Sequence, residues 1–323
     1  MRSILLVKTS SMGDVIHNLP VVSDLRRIWP GLAIDWVVEE SFAAIPRLHP
    51  GVRRVIPVAV RRWRKQLTQH ETRREIGAFR QELQRECYDL VLDTQGLVKS
   101  ALITWLARGL RCGYSAEVAR ERLAALAYHC DYLIPPSAHA VERNRWLASA
   151  AAEYPLIDLP LDYGIHANAP RPAWLPESPF CTLLSATSRD DKLWPEAHWI
   201  ALGQRLREMG LRCVLPSGSP RERERAERLA AGIPDSIAAP ASDLETLAAV
   251  LAASCAVVGV DTGLTHLAAA LDRPTLALYV ATEPGLTGVL AGPRALNLGG
   301  KGQCPSPEDV VTPLEALLAE ENP

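Results

Sequence analysis

The stretch that says most about the fold is Val257-Val258-Gly259-Val260-Asp261-Thr262-Gly263-Leu264-Thr265-His266-Leu267-Ala268-Ala269-Ala270-Leu271. An apolar, β-branched run of strand length breaks at an Asp-Thr-Gly turn, and an Ala/Leu-rich helical pattern begins at once. The first N–H groups of such a helix are unpaired, and with the positive end of the helix dipole they form a site for phosphate. The simpler interpretation is that Asp261 or Thr262 only caps the helix. The stretch alone fits both interpretations.

Strand-like and helical runs alternate along the chain, which is typical of βαβ units and parallel sheets. The predicted strands are 4–8, 33–38, 54–58, 89–93, 180–185, 211–215, 256–260 and 275–279. The helical patterns are 14–28, 72–86, 97–108, 117–128, 139–153, 195–209, 221–231, 243–253 and 307–320. We therefore predict an α/β protein with two Rossmann-like, doubly wound parallel-sheet domains that face a central cleft.

Six prolines between 155 and 179 mark the boundary between these domains. The predicted organisation is an N-terminal domain over 1–154, a Pro-rich linker over 155–179 and a C-terminal domain over 180–323. The final helix is a candidate to pack back on the N-terminal domain.

The formal net charge of -2 argues against a general nucleic-acid binder. The charge is unevenly distributed along the chain. Residues 1–165 carry 22 Lys and Arg against 18 Asp and Glu, a net of +4, and residues 166–323 carry 13 against 19, a net of -6. An anionic macromolecular partner is therefore expected to meet the N-terminal half.

The cysteines and apolar runs indicate the compartment. The 7 cysteines include no Cys-x-x-Cys pair, and this odd count favours a reducing compartment over a disulfide framework. The apolar run Ile4–Val7 is too short for a signal peptide, and the longest apolar stretch, 247–260, is too short to span a bilayer. We expect a cytoplasmic protein that contacts a membrane only at its surface.

The first motif with chemical potential is Lys8-Thr9-Ser10-Ser11-Met12-Gly13-Asp14, directly after the first predicted strand. It has neither the Walker A spacing nor the Gly-x-Gly-x-x-Gly spacing of dinucleotide-binding turns. Asp14 suits a general base that faces the cleft. From spacing alone, a first-turn acid that complements the helix dipole is the more ordinary interpretation.

The second motif is Ser185-Ala186-Thr187-Ser188-Arg189-Asp190-Asp191-Lys192-Leu193-Trp194-Pro195, after the first strand of the second domain. Hydroxyl groups and a lysine before a proline-started helix suit a diphosphate. Asp190 and Asp191 are adjacent on a loop, where they rarely point together, and no His or acid cluster supports them. We therefore expect no metal at this motif.

The third motif is Arg61-Arg62-Trp63-Arg64-Lys65, four cations around an aromatic residue. A charge run is usually a solvated face. Packed this densely on the basic half, the cations better suit several phosphates or carboxylates on one acceptor. Lys99 and Arg120 could add to this basic patch.

Together the motifs resemble those of the lipopolysaccharide heptosyltransferases of glycosyltransferase family 9. The resemblance rests on 8–20, 61–65, 187–192 with Trp194-Pro195, and 260–266, and it extends from residue 1 to about 285. It implies a GT-B fold and an inverting glycosyltransferase that uses neither a metal nor a cofactor. The donor would be ADP-L-glycero-D-manno-heptose. The acceptor would be the Kdo of Kdo2-lipid A, reached through peripheral contact with the cytoplasmic face of the inner membrane.

The resemblance also assigns roles to residues at matching positions. Asp14 would be the general base that deprotonates the Kdo hydroxyl. The groups expected to hold the diphosphate, support its loop and bind the ribose are Thr187, Ser188, Lys192, Asp261, Thr262, Gly263, His266 and Glu222. The groups expected to bind the carboxylates and phosphates of the acceptor are Ser10, Ser11, Arg61, Arg62, Arg64, Lys65 and Arg120. Ser188 and Ser242 depart from the family pattern, which has Thr and Met there.

Three other functions remain as alternatives. A sugar-nucleotide epimerase of the same bilobed fold needs no basic acceptor surface, so the cluster at 61–65 argues against it. A heptosyltransferase that acts on a later core sugar is the second alternative. The third is a non-catalytic protein that binds a nucleotide sugar or lipid A, and the Asp14→Ala variant would separate it from an enzyme.

Overall fold

The computed structural model of the protein describes residues 1–319. The chain divides into two compact units, Met1–Ile165 and His166–Pro323, and the division falls inside the segment 155–179. Each unit contains a six-stranded parallel sheet. The predicted α/β class with two doubly wound parallel sheets is therefore confirmed.

The sheet of the first unit is built on six parallel strands. They are β1 (Ser3–Val7), β2 (Ala33–Glu39), β3 (Val52–Val58), β4 (Cys87–Asp93), β5 (Arg108–Tyr114) and β6 (Cys130–Tyr132). Their order across the sheet is β3-β2-β1-β4-β5-β6. Val7 pairs with Val37 of β2 on one side and with Asp93 of β4 on the other, so β1 and β4 end level and β2 continues two residues further, to Glu39.

The helices of the first unit follow the strands in alternation. They are α1 (Met12–Ile16), α2 (Leu19–Ile28), α3 (Ala44–Arg47), α4 (Val60–Trp63), α5 (His70–Leu83), α6 (Val98–Leu106) and α7 (Ala140–Ala152), with short 3₁₀ helices at Glu40–Phe42 and Arg122–Ala127. The predicted helix 14–28 is two helices, because the chain turns at His17 and Asn18 and Pro20 stands in the first turn of the second helix.

The predicted helix 117–128 is wrong for half of its length. Only Arg122–Ala127 is helical, in the tighter 3₁₀ form. The backbone N–H of Glu121 donates to the Gly96 carbonyl, and that of His129 donates to the Arg111 carbonyl. These bonds fasten the segment to the sheet, so tertiary contacts override its Ala/Leu pattern.

The second unit repeats the same topology. Its strands are β7 (Phe180–Leu184), β8 (Arg212–Leu215), β9 (Ile237–Ala238), β10 (Ala256–Val260), β11 (Thr275–Tyr279) and β12 (Ala295–Gly299), in the order β12-β11-β10-β7-β8-β9. Its helices are α8 (Glu196–Glu208), α9 (Pro220–Gly232), α10 (Leu244–Ala252), α11 (Gly263–Ala270) and α12 (Pro307–Ala319), with a 3₁₀ helix at Asp190–Lys192. Counted within each unit, both sheets have the strand order 3-2-1-4-5-6.

The core of each unit explains why these runs form strands. A parallel sheet is covered on both faces, so its central strands are continuously apolar rather than alternating. All five residues of β7, β10 and β11 are buried, and so are residues 4–7 of β1. The last helix, α12, packs against α8 and contributes Val310, Leu314 and Leu317 to the core of the second unit. Within residues 1–319, no helix is both long and apolar enough to cross a membrane.

Candidate active site

Both sheets reverse their strand order at one point, between β1 and β4 in the first unit and between β7 and β10 in the second. In open parallel sheets, ligands bind beyond the carboxyl ends of the strands at such a point. The motif 8–14 follows β1, the motif 185–195 follows β7, and the turn 261–263 follows β10. The topology therefore brings all three motifs to reversal points.

Asp14 lies in the first turn of α1 and uses both carboxylate oxygens. Oδ2 accepts from the backbone N–H and the hydroxyl of Ser11 at 2.9 and 3.0 Å, while Oδ1 accepts from the Arg120 guanidinium at 2.8 Å. Burial by itself raises the pKa of Asp14. The charges of Lys8 and Arg120 and the hydrogen bond from Ser11 outweigh burial and hold the pKa at about 2. Asp14 therefore accepts a hydrogen bond at the start of α1, as an ordinary first-turn acid does, and its carboxylate is also kept ionised.

Lys8 is the buried counter-charge of this carboxylate. Its Nζ donates to the Thr94 carbonyl at 2.7 Å and to Asn144 Oδ1 at 3.3 Å. Burial lowers the pKa of Lys8 to about 8, against the opposing charge of Asp14. Lys8 is part of the motif 8–14, but no role was predicted for it. The available signal was a lysine at the end of an otherwise apolar strand.

Ser10 is oriented by two residues on the far side of the reversal point. Its hydroxyl accepts from Lys99 Nζ at 2.6 Å, and its carbonyl accepts from Gln95 Nε2 at 2.6 Å. Gln95 Oε1 also accepts from the N–H and the hydroxyl of Thr9 at 2.7 and 2.8 Å. Burial lowers the pKa of Lys99. Gln95, which the sequence analysis missed, therefore ties the β1 loop to the end of β4.

The predicted acceptor cations differ in their surroundings. Arg62 is already paired, because its guanidinium donates to Glu40 at 3.0 and 3.1 Å and to Glu75 at 2.8 Å. The Arg61 guanidinium lies 5.4 Å from the centre of the Phe42 ring. Arg64 and Lys65 are exposed. The exposed Arg120 lies against Asp14, so it belongs to the carboxylate site rather than to the basic run.

At the second reversal point, Lys192 and Asp261 form a partly buried ion pair. Lys192 Nζ lies 2.6 Å from Asp261 Oδ2, and the Thr282 hydroxyl donates to the same oxygen at 2.8 Å. The Thr187 hydroxyl donates to the Asp261 carbonyl at 2.9 Å. Three predicted donor-site residues are therefore in direct contact. Thr282 was missed, because only the fold brings the loop after β11 to this point.

The turn that opened the sequence analysis starts α11 without a side-chain cap. Thr262 is the N-cap residue and makes no capping hydrogen bond, and the Asp261 carboxylate is used by Lys192 and Thr282. Helix capping therefore does not account for these two residues. The first N–H groups of α11, beginning at Gly263, remain suited to an anion. His266 is buried in the same helix.

The two remaining donor-site residues, Ser188 and Glu222, line a neighbouring cavity of about 290 Å³ together with Thr187, Arg221 and Arg225. Glu222 stands in the first turn of α9, where its carboxylate accepts from the Gly218 N–H at 2.7 Å. Both Ser188 and Arg221 are exposed, so this cavity opens to solvent.

The two adjacent acids of the second motif do not act as a pair. Asp190 is paired with Arg221 at 2.9 Å, whereas Asp191 is paired with Arg189. Within residues 1–319, no group of three or more His, Cys, Asp and Glu side chains is arranged to hold a metal ion.

Comparison with known proteins gives consistent results for the whole chain. The model of glycosyltransferase family 9 (heptosyltransferase) matches residues 76–314. Lipopolysaccharide heptosyltransferase 1 of Escherichia coli (strain K12) is 49% identical over 290 residues, which cover 88% of this chain and 90% of that protein.

Two solved structures of an Escherichia coli enzyme are also similar. Heptosyltransferase WaaC with ADP has a TM-score of 0.92 and 44% identity, over 98% of this chain and 99% of that chain. WaaC with ADP-2-deoxy-2-fluoro heptose has a TM-score of 0.86 and 43% identity, over 99% and 100%. The similarity therefore includes both units and all the motifs described above.

Proposed function

This chain belongs to glycosyltransferase family 9, the heptosyltransferases, and on that premise we propose that it transfers heptose from ADP-L-glycero-D-manno-heptose to the Kdo of Kdo2-lipid A. The transfer inverts the anomeric centre and needs no metal. The observation that carries the proposal is the ionised Asp14 carboxylate at one reversal point, together with Lys192 and an uncapped helix N-terminus at the other.

Asp14 is the general base of the proposed reaction. A sugar hydroxyl is a weak nucleophile, so a positioned carboxylate is needed to take its proton as the new bond forms. The acceptor oxygen bonds to C1 of the heptose, the bond from C1 to the phosphate oxygen breaks, and ADP leaves with that electron pair. A pKa of about 2 keeps Asp14 ionised at neutral pH, which is the form that can accept a proton.

The leaving ADP gains negative charge, and the second unit offers groups that stabilise it. Lys192 and the N–H groups at Thr262 and Gly263 would hold the diphosphate, with the hydroxyls of Thr187 and Ser188 beside them. The loop would be supported by Asp261, which orients Lys192, and by His266. Glu222 would bind the ribose hydroxyls.

The acceptor is held by the first unit. Its Kdo carboxylates and lipid A phosphates would contact Arg61, Arg64, Lys65 and Arg120, with Arg62 as a further contact if it leaves its acidic partners. The hydroxyls of Ser10 and Ser11 line the same site. Because this acceptor is anchored in a bilayer, the enzyme would work as a peripheral protein at the cytoplasmic face of the inner membrane.

The test measures ADP release with ADP-heptose and Kdo2-lipid A, with and without EDTA. We expect turnover that EDTA does not reduce. Asp14→Asn should lower turnover by about 10² or more while the ADP Kd, measured by calorimetry, stays unchanged. Faster turnover on an acceptor that already carries a heptose would assign the chain to a later core step. Full activity of the Asp14→Asn variant would show that Asp14 is not the general base.

A further inference from the structure

Five large apolar side chains on the first unit are exposed next to one another. Three lie on α6 and two on the 3₁₀ helix Arg122–Ala127 that packs against it. They are Val98, Leu102, Trp105, Leu123 and Leu126, which we call the α6 surface, and their exposed fractions range from 37% to 83%. A soluble protein rarely leaves such a group uncovered unless it is an interaction site.

The spacing of these residues places them on one side of each helix. Positions 98, 102 and 105 fall on one side of an α-helix. Positions 123 and 126 are three apart and therefore eclipse in a 3₁₀ helix. The opposite side of α6 is buried at Ser100, Ile103 and Thr104. Each element thus uses one side for the core and presents an apolar side to solvent.

The charges around the α6 surface select an anionic partner. The segment 98–134 contains five cations, Lys99, Arg108, Arg111, Arg120 and Arg122, against three acids, Glu117, Glu121 and Asp131, although the whole chain has a net charge of -2. Arg108, two residues after α6, and Arg122, the first residue of the 3₁₀ helix, are both exposed. One acid is already used locally, because the Glu121 carboxylate accepts from the Val98 N–H at 2.6 Å.

The same elements carry groups of the acceptor site. Lys99 of α6 donates to the Ser10 hydroxyl, and Arg120, two residues before the 3₁₀ helix, pairs with Asp14. The α6 surface and residues that contact the Asp14 site therefore lie on the same two segments of the chain. An acceptor whose sugar occupies that site and whose acyl chains stay in a bilayer would bring the bilayer to this part of the unit.

We propose that the α6 surface docks on a bilayer that contains anionic lipid. The leucines and Trp105 enter the interface between headgroups and acyl chains, where tryptophan is enriched, and Arg108 and Arg122 contact the anionic headgroups. The biological purpose of this contact rests on the proposed function, whereas its physical test does not require transferase activity.

The test is flotation of the full chain with vesicles of phosphatidylcholine alone or mixed with phosphatidylglycerol. We expect binding to the mixed vesicles and much less to the neutral ones. Leu102→Ser combined with Leu126→Ser should lower the bound-to-free ratio by roughly tenfold or more, since each leucine loses apolar area buried in the interface. The matched control, Ile157→Ser with Leu286→Ser, changes two leucine-sized residues that are also more than half exposed and should bind normally.

A second readout locates the contact. The blue shift of tryptophan emission on addition of mixed vesicles should be smaller in Trp105→Phe and unchanged in Trp146→Phe, whose tryptophan is 37% exposed on α7. The proposal would be overturned if the Leu102→Ser, Leu126→Ser variant and its control lost vesicle binding equally. It would also be overturned if the unmodified chain self-associated in a concentration-dependent way and only the Leu102→Ser, Leu126→Ser variant lost that self-association. Normal vesicle binding without heptose transfer would refute the proposed function and leave the docking surface standing.

Discussion

Replacing Gly259 with alanine tests how closely α11 must approach the sheet. A Cβ atom at this position would lie 2.2 Å from Thr265 Oγ1 and 3.0 Å from the Cβ of Leu184. Neither neighbour can move easily. The Thr265 hydroxyl is buried and donates to the Val260 carbonyl at 2.7 Å, and Leu184 is buried on β7. The first turn of α11 must therefore shift away from β10.

The cost has two parts. Overpacking of a buried site costs about 1–3 kcal/mol, and a lost buried hydrogen bond adds about 1 kcal/mol. We expect Gly259→Ala to lower the free energy of unfolding of the second unit by about 2–4 kcal/mol in urea denaturation. The shifted helix N-terminus should also weaken ADP binding by roughly tenfold, since one or two hydrogen bonds to phosphate are lost. The control is Gly285→Ala, where the new Cβ meets nothing within 4 Å.

A double-mutant cycle identifies the clash. Thr265→Ala removes the obstructing oxygen and by itself should cost about 1–2 kcal/mol. If the clash with Thr265 Oγ1 is the cause, the double variant should be more stable than the sum of the single effects predicts by about 1 kcal/mol or more. Additive effects, or a loss below about 0.5 kcal/mol for Gly259→Ala, would refute the reasoning.

Two further predictions concern the ion pairs of the site. Arg120→Met removes a charge that lowers the pKa of Asp14, so this pKa should rise from about 2. On acidification, kcat/KM should then begin to fall at a higher pH than in the unmodified enzyme. Coincident pH profiles of the two proteins would contradict a role of the ion pair in lowering this pKa. Lys192→Met should weaken ADP binding at least about tenfold in calorimetry, because a charge-assisted contact to the diphosphate contributes about 1.5–3 kcal/mol. The control is Arg189→Met, which removes an exposed cation paired with Asp191, and an equal effect there would indicate general electrostatics.

Eight strands, including the edge strand β3, were predicted from the sequence, whereas β5, β6, β9 and β12 were not. β5 reads Arg-Gly-Leu-Arg-Cys-Gly-Tyr, with two arginines and two glycines, and it lacks the continuous apolar run of β1 or β10. Short edge strands such as β6 and β9 carry too few residues for a pattern. Their positions depend on pairing with a neighbour that is distant in sequence, and no local signal reports that pairing.

In the candidate site too, residues with a local signal were predictable and residues placed by distant contacts were missed. Asp261 stands directly after an apolar strand, and Asp14 and Lys192 belong to motifs that begin directly after one, so strand ends were enough to find them. Gln95 and Thr282 act through contacts 86 and 21 residues away in sequence, to Thr9 and Asp261 respectively. Gln95 was within reach of the same reasoning, because it also follows a strand that ends at the reversal point. The loop of Thr282 begins after β11, which lies one strand away from that point.

Each reversal point holds a charged side chain beside one of opposite charge, and the signs are exchanged between the two units. In the first unit the group with the proposed catalytic role is the Asp14 carboxylate, and the buried Lys8 carries the opposite charge. In the second unit the group with the proposed binding role is Lys192, which is paired with Asp261, and both side chains are less than one-fifth exposed. A lone buried charge would be unstable, whereas a paired one is held in a fixed direction before the ligand arrives. In the proposed reaction a phosphate would share Lys192 with Asp261, so the ion pair would lower the affinity for phosphate but hold the lysine in a fixed direction towards the developing charge.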